Sequence, residues 1–207
     1  MSNRTKTKYL ILFIVFNIIS YFGIQLLLTA NKYNFLISFD HVIPFVPEFV
    51  WIYHTLLPVI VITMFSFVTK KKVFLSAFTA YMIASVMLSA FYISFPSFYP
   101  RENFTDPSSI SGFLVELTRT IDGANNTFPS GHVTFAWILA FFINLTQRAK
   151  KHTWIRVAYY TWAILISFST LTLKQHFIVD VLSGVLLASI CYFLSKNIIF
   201  KRLQTAN

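Results

Sequence analysis

The chain has 207 residues, of which 56% are hydrophobic and 12% are charged, and its formal net charge is +10. This apolar content is more than the core of a small water-soluble protein can bury, which excludes a soluble globular domain. The basic residues stand in short clusters between apolar segments rather than on one face, which excludes a nucleic-acid-binding domain. A single cysteine, Cys191, excludes an intrachain disulfide and a cysteine-rich metal site.

Apolar segments recur along the whole chain, and most of them have the roughly 18 residues that a helix needs to cross a membrane. They predict six transmembrane helices, at residues 9–29, 49–68, 73–95, 132–145, 154–173 and 177–200. The first segment is too long for a signal peptide, so we expect it to remain as a membrane span. The predicted fold class is all-α, an integral membrane bundle that forms a single domain over residues 1–207.

Two long connections, residues 30–48 and 96–126, follow the first and third spans and therefore lie on the same side of the membrane. In the second connection, apolar residues recur at helical spacing between Phe113 and Ile121. This pattern predicts a short amphipathic helix over residues 111–122, which would lie on the membrane surface as a lid or a plug.

The basic residues are distributed unequally between the two sides of the predicted bundle. The side that carries the N-terminus has 13 of the 17, namely Arg4, Lys6, Lys8, Lys70, Lys71, Lys72, Arg148, Lys150, Lys151, Arg156, Lys196, Lys201 and Arg202. Cytoplasmic loops of membrane proteins keep an excess of Lys and Arg, so both termini are predicted to be cytoplasmic. The abundance of Phe, and of Lys over Arg, is compatible with an AT-rich bacterial genome and so with a bacterial inner membrane.

Three polar segments are predicted to meet at the outer side of the membrane. Arg101 follows the third span, residues 129–132 open the fourth, and residues 174–176 with Asp180 lie where the fifth span ends and the sixth begins. Polar residues beside membrane spans are costly, so their presence predicts a function. Because the three segments share one side of the membrane, they can form one site.

Each segment offers a means of binding phosphate. The sequence P-S-G at the start of a helix exposes backbone amides and the positive end of the helix dipole, and Gly131 lets the backbone approach an anion closely. Arg101 presents a planar set of donors that matches phosphate oxygens, and Lys174 adds a point charge. Together these groups would neutralise the charge that develops during phosphoryl transfer.

The histidines supply groups for the chemistry itself. His176 and Asp180 are four residues apart on one helical face, so the carboxylate can accept the proton of one ring nitrogen while the other attacks phosphorus. His132 can protonate the leaving oxygen and then take a proton from water or an alcohol. Each motif alone also fits a structural role, with Ser130 as a helix cap and the His176–Asp180 pair as a hydrogen bond.

In these segments the chain resembles the phosphatidic acid phosphatase type 2 superfamily, whose motifs are K-x6-R-P, P-S-G-H and S-R-x5-H-x3-D. Residues 129–132 match the second motif in full. Arg101 matches the arginine of the first motif, with Ser94 in place of its lysine and Glu102 in place of its proline.

The third motif matches at Ser169, His176 and Asp180, with Thr170 in place of its arginine. The resemblance covers residues 94–184. Two positive charges of the family's pattern are therefore missing, and we expect Lys174, just before the nucleophile, to compensate for them.

The resemblance also implies a role for each matched residue. His176 would be the nucleophile that forms a phosphohistidine, Asp180 would orient it, and His132 would act as acid and base. Ser130 and Gly131 would contact the phosphate. Members of this family need no metal ion and no other cofactor, and the sequence offers no ligand cluster that indicates one.

The function predicted is hydrolysis of a lipid phosphate or diphosphate at the extracytoplasmic face, by a metal-independent phosphatase. Undecaprenyl diphosphate, phosphatidylglycerol phosphate and phosphatidic acid are the candidate substrates, and the bilayer and this lipid are the expected partners. No nucleic acid or protein partner is predicted. A lipid phosphotransferase that uses an alcohol acceptor is one alternative. A catalytically silent transporter or scaffold of the same fold is another.

Overall fold

The computed structural model describes residues 1–27, 32–101 and 108–202, with side chains to residue 199. This part of the chain forms nine α-helices: α1 (Asn3–Leu27), α2 (Val50–Tyr53), α3 (Leu56–Ser66), α4 (Lys71–Ser94), α5 (Ile110–Asp122), α6 (Gly131–Ile143), α7 (Gln147–Lys151), α8 (Thr153–Thr172) and α9 (Ile178–Arg202). The all-α class is therefore confirmed. The predicted end of the first span, residues 28–29, and Glu102 lie outside the described residues.

Four helical segments are long and apolar enough to cross a membrane, and they confirm a membrane protein. They are Asn3–Leu27, Pro47–Ser66, Lys71–Ser94 and Ile178–Ile199, which correspond to the predicted first, second, third and sixth spans. Helix α6 is apolar but has only 13 residues, and α8 has 20 residues. A helix of the latter length measures about 30 Å, which matches the hydrocarbon core of a bilayer. The count of six spans stays a prediction.

The second predicted span, residues 49–68, corresponds to the helical segment Pro47–Ser66, which contains a break. A turn at His54 and Thr55 separates α2 from α3. Pro58 has no backbone N–H and its ring is incompatible with the carbonyl of His54 four residues earlier, so the helix cannot pass through this point unbroken. The break leaves Tyr53 buried at the end of α2, with its side chain pointing toward the bundle.

Helix α6 lies in the centre of the bundle, in contact with α4, α8 and α9. Its first turn packs against α9 at Gly184. A Cβ atom at Gly184 would lie 2.9 Å from the carbonyl oxygen of Ser130 and 3.2 Å from the Cβ of Val133. The hydroxyl of Thr134 donates to the carbonyls of Ser130, at 2.8 Å, and of Gly184, at 3.2 Å. This contact fixes the start of α6 against α9.

We expect Gly184→Ala to lower the thermal unfolding midpoint in detergent by about 3 °C or more, because overpacking a tight contact costs about 1–3 kcal/mol. The substitution pushes the start of α6 away from α9, so phosphate release should fall as well. Gly23→Ala is the matched control, since a Cβ at Gly23 meets no atom within 4 Å. Equal midpoints for the two variants would contradict the proposed tightness of the α6–α9 contact.

Helix α5 (Ile110–Asp122) confirms the amphipathic helix predicted over residues 111–122. The hydroxyl of Ser109 caps its first turn by accepting the amide of Gly112 at 3.0 Å. One face is buried against the bundle, and the opposite face leaves four large apolar side chains exposed: Ile110, Phe113, Leu117 and Ile121. Its location on the membrane surface and its role as a lid or a plug stay predictions.

Candidate active site

The second and third motifs are joined by a backbone hydrogen bond. The amide of Ser130 donates to the carbonyl of Asp180 at 3.0 Å. The Ser130 hydroxyl accepts the amide of Val133 at 3.4 Å and so caps α6. Helix geometry leaves the amides of Gly131 and His132 without an intrahelical acceptor. The start of α6 therefore presents amides beside the residues that open α9.

The turn before α9 sets the position of His176. The amides of Gln175 and His176 both donate to the carbonyl of Thr170, at 3.0 and 3.2 Å. Nδ1 of His176 lies 3.5 Å from Oδ2 of Asp180, a carboxylate that is completely buried. The same Oδ2 accepts the amide of Phe177 at 2.9 Å. The carboxylate thus faces one ring nitrogen of His176 and leaves the other, Nε2, for the substrate.

One cavity of about 290 Å³ joins these elements. Four of the seven predicted site residues line it: Arg101, Gly131, His132 and His176. Asp122 and Gln175 also line its polar end, and residues of α1 and α4 continue the wall into the bundle. The structure therefore brings the two histidines that are predicted to be catalytic, the arginine and the start of α6 around a common space.

Arg101 supplies a positive charge at the wall of this cavity. Its guanidinium donates to Oε1 of Gln175 at 2.8 Å, to the carbonyl of Lys174 at 3.3 Å and to the carbonyl of Gly123. Burial lowers the pKa of Arg101, and the neighbouring charge of Arg119 lowers it further, while Asp122 opposes both effects. An arginine remains charged at neutral pH in spite of such shifts, so the cavity keeps a fixed cation.

These motifs lie within residues 70–204, the segment that matches the family model of the PAP2 superfamily. The match covers more than half of the chain. The chain belongs to the PAP2 superfamily. Family membership, together with the apolar helices, supports a membrane lipid phosphatase.

Among solved structures, the fold is similar to that of LpxE from Aquifex aeolicus. The similarity covers 90% of this chain and 93% of that chain, with a TM-score of 0.50 and 19% sequence identity. At this identity the comparison shows a shared fold. A search of curated proteins gives no match.

Lys174 does not line the cavity, unlike Gln175 and His176, which follow it. Its backbone is left-handed, with φ of 55°. Its ammonium group donates to the carbonyls of Ile43, at 2.6 Å, and of Asp40, at 3.2 Å. Oδ1 of Asp40 accepts the amide of Ile178 at 2.9 Å. This arrangement does not support the predicted phosphate contact of Lys174 and instead ties the loop around Asp40 to the start of α9.

The positions where this chain departs from the PAP2 motifs add no cation to the cavity. Ser94 is exposed at the end of α4. Thr170 is fully buried, and its hydroxyl donates to the carbonyl of Ser167 at 2.8 Å. Among the cavity-lining residues in the described part of the chain, Arg101 is the only lysine or arginine. The described residues contain no group of three or more His, Cys, Asp or Glu side chains placed to hold a metal ion.

Two residues that the sequence did not identify, Tyr92 and Tyr53, contact the PAP2 motifs directly, and a third, Asp122, contacts one of them. The hydroxyl of Tyr92 donates to the carbonyl of Pro129 at 3.2 Å. Tyr53 stacks on His132, and Asp122 bonds to Tyr53. For Asp122 the sequence offered one indication of a functional role, because it is an acid at the end of a predicted amphipathic helix. The two tyrosines lie in apolar spans whose pattern does not distinguish them from packing residues.

Proposed function

We propose that the protein hydrolyses a phosphate or diphosphate ester of a membrane lipid at the extracytoplasmic face, through a phosphohistidine on His176. The observation that carries the proposal is that His176, His132 and Arg101 line one cavity with the start of α6. Nucleophile, proton donor and phosphate-binding groups therefore surround a common space, as phosphoryl transfer requires.

In the first step, Nε2 of His176 attacks phosphorus while the bond from phosphorus to the ester oxygen breaks. The leaving alcohol or phosphate takes a proton from His132, which becomes neutral. Asp180, facing Nδ1 of His176 at 3.5 Å, stabilises the positive charge that the ring acquires. Arg101 and the amides at the start of α6 bind the phosphate oxygens, so the charge of the transition state meets fixed donors.

In the second step, water attacks the phosphohistidine. His132 now acts as the base and takes a proton from the water, and the bond between phosphorus and Nε2 breaks. Inorganic phosphate leaves, and both histidines return to their starting states. No step passes through Lys174, whose ammonium group we assign to holding the loop around Asp40.

The proposed topology has six crossings, with both termini in the cytoplasm and the cavity near the outer face. The ammonium group of Lys6 donates to the carbonyls of Met64, Phe65 and Val68 at 2.7 to 3.2 Å. This contact supports a common side for the start of α1 and the end of α3. The clusters of Lys and Arg in the loops of that side support its cytoplasmic location.

The test is release of inorganic phosphate by the purified protein in detergent, without added metal. Undecaprenyl diphosphate, phosphatidylglycerol phosphate and phosphatidic acid serve as substrates, and a mock purification from cells without the protein measures contaminating phosphatase. We expect release from at least one lipid well above the mock preparation. Release from none of the three would contradict the hydrolase. Transfer of the phospho-group to an added alcohol, without release of inorganic phosphate, would identify a phosphotransferase instead.

A further inference from the structure

Behind His132 lies a pair of residues from two other parts of the chain. The ring of Tyr53 stacks on the ring of His132, with centroids 4.1 Å apart and an angle of 26° between the planes. The hydroxyl of Tyr53 lies 3.3 Å from Nδ1 of His132. The same hydroxyl donates to Oδ2 of Asp122 at 2.9 Å. Tyr53 is therefore held between the histidine and a carboxylate.

We propose that Tyr53 and Asp122 position His132 for its proton transfers, as a counterpart to the pairing of His176 with Asp180. The inference rests on the proposed function, because it assigns a supporting role to the acid and base of that reaction. Tyr53 and Asp122 are positioning residues that act through His132.

The direction of the hydrogen bonds follows from counting protons. A tyrosine hydroxyl has one proton, and an ionised carboxylate can only accept, so Tyr53 donates to Asp122. The oxygen of Tyr53 is then left as an acceptor for a proton on Nδ1 of His132. A histidine that donates from Nδ1 carries its free lone pair on Nε2. The pair thus selects Nε2 as the nitrogen that exchanges a proton with the substrate oxygen.

The location of Asp122 supports the same role. Asp122 lines the cavity, where a carboxylate repels a phosphate substrate and is unfavourable unless it balances a positive charge. Arg101 in the same cavity carries such a charge permanently, and His132 carries a second one whenever it is protonated. A carboxylate linked to the ring through one hydroxyl stabilises that charge and keeps the ring in place, as the partners of metal-bound histidines do.

The fold holds both members of the pair firmly. Tyr53 and Val50 of α2 pack in one buried cluster with Val115 of α5. His54 forms a hydrogen bond of 2.8 Å to the hydroxyl of Thr118, which joins the turn after α2 to α5. Tyr53 thus contacts His132 from the end of α2, just before the break at His54. Asp122, the last residue of α5, lies at the same point.

The first test compares two substrates in Tyr53→Phe and Asp122→Asn. An alkyl phosphate lipid has a poor leaving group that needs a proton from His132, whereas a nitrophenyl phosphate has a leaving group that departs without one. We expect first-turnover rates on the lipid to fall about 10- to 100-fold in either variant. On the nitrophenyl ester the fall should be about 3-fold or less. Glu116→Gln, an acid of α5 that does not line the cavity, should leave both rates unchanged.

Equal losses on the two substrates, or no loss on the lipid, would overturn the positioning role. Turnover that disappears in His132→Ala but is unchanged in Tyr53→Phe would overturn it while leaving the proposed function intact. A wild-type protein without turnover would instead overturn the proposed function.

A second measurement does not depend on activity, and its result on the wild type does not require that any variant folds. Nitrogen NMR of histidine-labelled protein, with His132→Gln to assign the signal, reports which ring nitrogen carries the proton. At a pH at which the ring is neutral, we expect the Nδ1–H form in the wild type and its loss in Tyr53→Phe. A wild-type ring protonated on Nε2 alone, or a signal unchanged in Tyr53→Phe, would overturn the inference whatever the turnover.

Discussion

Replacing His176 with alanine is expected to lower phosphate release on the order of 10⁵-fold or more. Without the nucleophile the phosphohistidine cannot form, and no neighbouring side chain can take over this step. The side chain of His176 lines the cavity beside Arg101, and it is the histidine that faces a buried carboxylate. Among the residues that the structure describes, no carboxylate contacts His132 directly, which fits the proposed role of His132 as acid and base. The measurement is the initial rate on whichever lipid the wild type hydrolyses fastest.

The matched control is His152→Ala. His152 is exposed at the start of α8 and does not line the cavity, so its replacement should leave the rate unchanged. Brief exposure to lipid labelled in its phosphate should also leave an acid-labile, alkali-stable label on the wild-type protein and none on His176→Ala. A labelled His176→Ala variant, or equal rates for the two alanine variants, would rule out His176 as the nucleophile.

Much of the helical framework could be predicted because apolar length is a local property of the sequence. The predicted span 73–95 corresponds to α4 (Lys71–Ser94), and 154–173 corresponds to α8 (Thr153–Thr172). The four cavity-lining residues that were predicted, Arg101, Gly131, His132 and His176, were predictable for a similar reason. A helix that starts at residues 129–132 and another that starts after His176 must bring those ends together when they pack side by side.

The supporting contacts could not be predicted, because they join residues far apart in the chain. The partners of Lys174 are carbonyls near residue 40, and no pattern in the sequence shows that its ammonium group turns toward them. Tyr53 and Asp122 are 69 residues apart and meet where α2 packs against α5. A charged residue beside a motif indicates a site, but the backbone conformation decides which way its side chain points.

The charge of the cavity has a consequence for how tightly phosphate is bound. The PAP2 pattern places a lysine and a second arginine where this chain has Ser94 and Thr170, and neither position gives the cavity a cation. Arg101 lines the cavity, and its hydrogen bond to Gln175 holds the guanidinium there. In the proposed reaction, we therefore expect phosphate binding to depend more strongly on this arginine and on the amides at the start of α6 than the family's motifs alone would indicate.

Asp180→Asn is expected to lower the rate on the order of 10³-fold, in line with the loss of about 10⁴-fold when the orienting aspartate of a serine hydrolase triad is amidated. Oδ2 of Asp180 faces Nδ1 of His176 at 3.5 Å and also accepts the amide of Phe177 at 2.9 Å. Asparagine can place its oxygen at the same point, so the backbone contact is kept. Only the negative charge that stabilises the phosphorylated ring is lost, and the rate of forming the phosphohistidine reports that loss.

Asp40→Asn separates this effect from damage to the start of α9. Asp40 is also a buried aspartate, and its carboxylate accepts the amide of Ile178, one residue beyond the amide that Asp180 accepts. It lies away from the cavity, so its asparagine variant should change the unfolding midpoint without slowing the folded enzyme by more than about 3-fold, as expected for a lost helix-capping charge. Equal slowing by the two variants would mean that Asp180 acts through the structure of the α9 turn, and not through its charge on His176.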